Sequence, residues 1–331
     1  MLSPADPSIY PDVVSLTVSF GTTLNVSSNI SHICPLDLYF SDTLFVIVYS
    51  SVVVVGIPAN LAALYSICHL IKSKPTQLIF LLNLTLADLL YLLFLPLWII
   101  YFRHNHTWTL GSTACKAVGA MFFINMYTSI YFLCCIAIDR FLAVIFPFRF
   151  RRLQSLKCYI GVALTGWLLA TLSHLPVVLC LNLQYSDFCY QGYVQSQFHA
   201  AINIFASVFG FLCPFCILLF THQATIRRIG KATLRPGSAT LIKWLLLACF
   251  LTFVLCFGPY HCLALAQAGH YLEYGPDCEF LQSIHSYYRI SIAVTSLATL
   301  LDPVLYIFIS EDVRNQMNRL RFPAGCKFTT T

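Results

Sequence analysis

Nine polar side chains stand inside long apolar runs of this chain: Asn60, Asp88, Asp139, Arg140, His174, His222, His261, Arg289 and Asp302. Lipid makes such groups costly, so each needs a partner or a task; the ordinary task is a hydrogen bond between helices. The carboxylates Asp88 and Asp302 ask for more, because buried acids require a cation, a proton or water, which implies a bound ion or a titrating pair. Asp139 and Arg140 can neutralise one another. Arg289 has no acid neighbour within its own apolar run. A permanent cation there, with Arg103 near the same face, suits a ligand carboxylate or phosphate, and Tyr260, His261 and Tyr127 would line the space for an acyl chain. The competing expectation is an ion pair from Arg289 to a loop acid, Asp187 or Glu279. His32, His104, His106, His199, His270 and His285 fall in or near one set of loops, where a histidine cluster can report acid or simply be tolerated at the surface. No HExxH, GxSxG or partnered CxxC pattern is present, so no catalytic residue, metal or cofactor is expected.

These residues must be held by helices that cross a membrane. The chain has 331 residues, 58% of them hydrophobic and 10% charged, against about 25% charged in soluble domains. The segment from Cys115 to Arg152 shows the scale: no formal charge lies between Lys116 and Asp139. Cys115 to Arg140 makes roughly 38 Å of helix at 1.5 Å per residue, enough to cross a hydrocarbon core about 30 Å thick. Seven stretches meet this criterion, near 43–70, 76–101, 112–145, 156–182, 194–226, 240–269 and 281–309. The fold class is therefore an all-α membrane protein, a seven-transmembrane helix bundle. It has a tail over 1–42, a bundle over 43–309, and 310–331 as a short amphipathic helix lying on the membrane with a terminal tail.

Basic residues set the orientation. Of 19 Lys and Arg, only Arg103, Lys116 and Arg289 fall on the side opposite the other sixteen, which makes the crowded side cytoplasmic. The N-terminus is expected outside and the C-terminus inside, with no cleavable leader read at the start. The +6 net charge reports topology and gives no ground for a nucleic-acid partner. Sequons at Asn25, Asn29 and Asn105 lie on the external side and are candidate glycosylation sites, whereas Asn83 sits inside a span and reads as structural. Most of the 15 cysteines lie within spans. Four face outward, Cys34, Cys115, Cys189 and Cys278, and suggest two bridges; spacing leaves all three connectivities open.

Taken in order, Asn60, Asp88 in LTLADLLY, Cys115, Asp139-Arg140-Phe141, Trp167, Pro214, Pro259 in CFGPYH and DPVLY at 302–306 resemble the rhodopsin-like (class A) G-protein-coupled receptors. Asp302, where most of that class has Asn, is similar to the branch with nucleotide, protease-activated and proton-sensing receptors. Within it, LPLWIIYFRHNHTWTLGSTACK, FLCCI before Asp139 and Ser173-His174-Leu175-Pro176 resemble the proton-sensing and lysolipid group, closest to its oxidised-fatty-acid member. YRISIAVTSLATLLDPVLY is more similar to a second member.

The resemblance implies bridges Cys115–Cys189 and Cys34–Cys278. It implies that Asp139 restrains Arg140 at rest, that Arg140 and Phe148 meet the G protein, and that Ile130, Pro214 and Phe253 repack on activation while Phe257, Pro259 and Tyr306 move with the sixth and seventh spans. Cys326 becomes a candidate palmitoylation site. Implied partners are a heterotrimeric G protein, arrestin, membrane lipid, and an extracellular lipid or proton ligand at the plasma membrane. Three departures bear on acid sensing or switching. His222 replaces a tyrosine usual in the class, Ala170 replaces a buried acid usual in the group, and Arg289 stands where the group has an external histidine; His104 does match its sensor histidine. The expected function is a receptor for a lipid acid, an oxidised fatty acid or lysolipid, modulated by pH through His104, His106, His199, His270, His285, Asp88 and Asp302. The alternative is a receptor driven chiefly by protons. A secondary transporter is the remote alternative, and no inverted repeat supports it.

Overall fold

The computed structural model describes residues 42–72, 75–180, 184–185, 188–190, 197–229 and 236–309. Asn25, Asn29, His32, Cys34, Cys326 and the expected helix beyond 309 lie outside the described residues. Seven helices are long and apolar enough to cross a membrane. The first four spans are α1 (Asp42–Leu70), α2 (Pro75–Arg103), α3 (Gly111–Ile145) and, after the short α4 (Pro147–Leu153), α5 (Leu156–Cys180). Two-residue strands β1 (Gln184–Tyr185) and β2 (Phe188–Cys189) pair antiparallel in the following loop. The fifth span is α6 (Gln197–Ser207) and α7 (Cys213–Ile229), the sixth α8 (Pro236–Thr252) and α9 (Gly258–Tyr274), the seventh α10 (Cys278–Thr295) and α11 (Ala298–Ile309). The sixth span runs five residues further than expected, to Tyr274, because apolar content marks the hydrocarbon zone and helices continue past it.

The interruptions have local causes. A π turn at Val208–Leu212 separates α6 from α7, and another at Phe253–Phe257 separates α8 from α9. Pro214 and Pro259 follow closely. Each lacks the N–H that would bond the carbonyl four residues back, Gly210 or Leu255, so the turn widens there. Between α10 and α11 the ladder tightens: Thr299 N–H donates to the Ser296 carbonyl at 3.3 Å, and Ser296 and Thr299 hydroxyls donate to carbonyls three residues back. Ser and Thr side chains take over bonding that a regular helix gives to its backbone.

With "outer" meaning the end expected to face outside, α3 is the central strut, packed on α2, α5 and α7. Its outer part joins Phe45, Tyr91 and Leu95 in one buried cluster, and its inner part joins Phe253 and Phe257 in another. Lipid removes most of the hydrophobic drive between helices, so close backbone approach and polar bonds hold the bundle. The Asn60 amide donates to the carbonyls of Gly56 (3.0 Å) and Thr299 (2.9 Å), tying α1 to α11. Trp167 donates to Asn83 at 2.9 Å, which gives that sequon its structural role. Gly166 lets α5 close on Tyr131, since a Cβ there would sit 2.5 Å from the ring.

Candidate functional site

Cys115, at 0% exposure near the start of α3, is bonded to Cys189 of β2 with Cα atoms 5.7 Å apart. Cys278 is also disulfide-bonded, and Cys34, the partner the resemblance implies, lies outside the described residues. The first bridge places Tyr190, in a left-handed conformation (φ 57°), across the bundle. Its ring lies over Gly119, where a Cβ would meet it at 2.1 Å, and its hydroxyl is 3.2 Å from His174 Nε2. His174 stacks on Phe123 with centroids 4.6 Å apart. Tyr190 thus spans from α3 to α5.

Arg289, 5% exposed, donates to Asp42 Oδ1 at 2.9 Å, and the other oxygen of that carboxylate is 2.8 Å from His106 Nε2. The guanidinium lies over Phe45 (4.7 Å) and Phe102 (5.6 Å), a cation–π setting. His106 reaches Asp42 because Asn105 and His106 both take positive φ, 51° and 61°, closing α2 with a bond from His106 N–H to the Tyr101 carbonyl. Arg289 therefore pairs with the first residue of α1. Of the loop acids named in advance, Glu279 is exposed on the first turn of α10 and Asp187 lies outside the described residues. The available clue was an acid at the edge of the first apolar run, on the same side as Arg289.

A cavity of about 1350 Å³ follows α3 from Gly119 to Leu142. Arg289, Tyr260 and Tyr127 line it, as do His199 and His285. Gly210 in the first π turn lets Tyr127 lie close, since a Cβ would meet its ring at 2.6 Å. His261 sits behind this wall, stacked on Phe211 at 4.9 Å with its Nδ1 hydrogen-bonded to the Phe257 carbonyl at 2.8 Å. Arg103 is exposed at the end of α2 and does not line the cavity. Of the other histidines, His104 is exposed, and His270 pairs with Asp277 at 2.9 Å. That bond, aided by the Phe280 and Glu279 backbone N–H groups, holds the Asp277 carboxyl below its usual range.

Deeper in the bundle, Asp88 accepts from Asn125 at 3.1 Å, while its second oxygen and both oxygens of Asp302 have no protein hydrogen-bond partner among the described residues. At the inner end Arg140 lies 3.2 Å from Asp139, which also accepts from the Tyr159 hydroxyl. Tyr159 was not singled out beforehand, and a tyrosine four residues into the next span carries no distinguishing pattern. Ile130, Phe253 and Phe257 are buried together, Pro214 lies on the cavity wall and Pro259 is exposed. The Tyr306 side chain is outside the described residues. Phe148 projects from α4 at 86% exposure, available to a partner, and Asn105 is exposed. His222 stacks on Phe250 with centroids 6.0 Å apart.

The pattern described as 7 transmembrane receptor (rhodopsin family) matches residues 59–306. G-protein coupled receptor 68 of Mus musculus is 36% identical over 302 residues, covering 89% of this chain and 81% of that one. G-protein coupled receptor 65 of Homo sapiens is 35% identical over 297 residues, with 85% and 88% covered. Probable G-protein coupled receptor 132 of Homo sapiens is 30% identical over 318 residues, with 92% and 78% covered.

Proposed function

The chain belongs to the seven-transmembrane receptor (rhodopsin) family, and from that premise we propose that it carries an extracellular lipid-acid signal, an oxidised fatty acid or lysolipid, to a heterotrimeric G protein, with external pH as modulator. It is a multi-pass plasma-membrane signalling receptor and not an enzyme. The N-terminal tail is extracellular, and the C-terminal segment lies at the inner leaflet, where arrestin is a further expected partner. The observation that carries the ligand reading is the cavity of about 1350 Å³, walled mostly by apolar side chains and lined in its outer part by Arg289. Ligand pockets typically run about 300–1,000 Å³, with few polar anchors.

An acidic headgroup reaching Arg289 must compete with Asp42, and His106 holds the other oxygen of the same carboxylate. The histidine's hold on that carboxylate therefore bears on how readily Arg289 is released to the headgroup, and this cluster is where external pH would act on the lipid response. The second reading, protons as the main agonist, is favoured by the same cluster, which is complete without a ligand, and by the Asp88 and Asp302 carboxyls. The test is a second-messenger titration over pH, in lipid-free medium and with added lysophosphatidylcholine or hydroxylated octadecadienoic acid. It compares wild type, His104→Phe, His106→Phe, Arg289→Lys and Arg289→Ala at equal surface level. We expect the lipid response to disappear in Arg289→Ala and to lose its pH dependence in His106→Phe. A steep acid response in lipid-free medium that survives Arg289→Ala and collapses in either histidine variant replaces the lipid reading with the proton one.

A further inference from the structure

The cavity has two kinds of wall. One is buried: Tyr260 is 4% exposed and Arg289 5%. The other is open at mid-span: Leu169 and Leu172 of α5 are 54% and 49% exposed, and Phe205 of α6 and Phe209 of the π turn are 61% and 59%. Residues at that depth face hydrocarbon, so the cavity is continuous with the bilayer. Packing explains the opening. α5 rests on α2 and α3, and α6 on α9; the space between α5 and α6 is cavity, edged by the Phe205 and Phe209 rings 4.7 Å apart. On the watery side, by contrast, the Tyr190 ring crosses from Gly119 to His174. A ligand arriving from water on that side has to displace the ring and break its bond, and one arriving from the leaflet does not.

We propose that the ligand enters sideways from the outer leaflet, between α5 and α6, and is a single-chain lipid acid whose chain stays in this groove while its headgroup reaches Arg289. The inference rests on the lipid-acid reading above. One gap and one cationic end suit one chain and one acidic head. A chain moving from bilayer to groove exchanges one apolar environment for another, so its affinity comes from the headgroup and its selectivity from the shape of the opening. Ala201, an exposed residue on the α6 wall, lies where a larger side chain would narrow it.

The test has two arms. Receptor in phosphatidylcholine nanodiscs is loaded with octadecanoic acid bearing a mid-chain diazirine, photolysed, and its adducts are mapped by mass spectrometry. We expect adducts at 169–172 and 205–209 at least tenfold above those at Val54 and Leu93, which are also exposed, with displacement by unlabelled octadecanoic acid. In cells, Ala201→Trp and Leu172→Trp, at wild-type surface level, should delay the onset of the lysophosphatidylcholine response at least tenfold. Equal labelling of all lipid-facing positions means an annular lipid only and overturns the groove. Unchanged onset in both variants overturns the route while leaving the lipid-acid reading in place. Selective, displaceable labelling without signalling by any lipid supports the groove and removes that reading.

Discussion

The pair of Arg289 and Asp42 shows what a residue-by-residue reading can and cannot supply. Asp42→Asn removes the counter-charge from a guanidinium that is 5% exposed, and loss of one partner of a buried pair costs about 3–5 kcal/mol. We expect a clearly lowered thermal midpoint in detergent, with the double variant Asp42→Asn/Arg289→Gln regaining at least half of the loss; a double variant less stable than Asp42→Asn contradicts the pairing. At the other end, Asp139 holds Arg140 at 3.2 Å and also takes the Tyr159 hydroxyl. Asp139→Asn should raise signalling without agonist, because a restraint on Arg140 is removed, and Tyr159→Phe should raise it less. Arg140→Ala should signal not at all at equal surface level, and normal signalling by it contradicts the switch. Asp139 and Arg140 were legible as an ionic pair because they adjoin in sequence. Asp42 was not, because its partner is 247 residues away and an acid at a span edge looks like an ordinary solvated end.

Elements were legible where lipid dictates them. About 20 apolar residues are needed to cross, so all seven spans stood out, with boundaries within a few residues. The π turns before Pro214 and Pro259 did not, since apolar content is blind to hydrogen-bond register. The start of α10 carries its own test. Asp277 caps it, accepting from the Glu279 and Phe280 N–H groups at 3.0 and 3.2 Å, and His270 of α9 bonds the same carboxylate. The depressed carboxyl fixes the sign: its contribution is present above 3.8, the ordinary value, and is lost as pH falls through the lowered one. Asp277→Ala should therefore lower the thermal midpoint equally at pH 7.5 and 5.5, with the gap closing only in stronger acid. A gap that shrinks by pH 5.5 would mean that the cap acts through another group.

On the scale of the whole molecule, two connections among the described residues tie the bundle together at its outer end. The Cys115–Cys189 bridge joins residues 74 apart, and loss of a native bridge typically costs about 2–5 kcal/mol in small domains. Cys115→Ala should abolish surface expression or signalling, with Cys34→Ala milder; normal signalling by Cys115→Ala contradicts a structural role for the loop. The second connection, Asp42 with Arg289, joins the first span to the last and has a consequence for synthesis. At about 5–20 residues per second, Asp42 leaves the ribosome on the order of ten to fifty seconds before the arginine that will neutralise it. His106 follows Asp42 by only 64 residues and can hold it during the wait. A nascent chain stopped before the seventh span therefore has, among the described residues, His106 but not Arg289 to meet that acid.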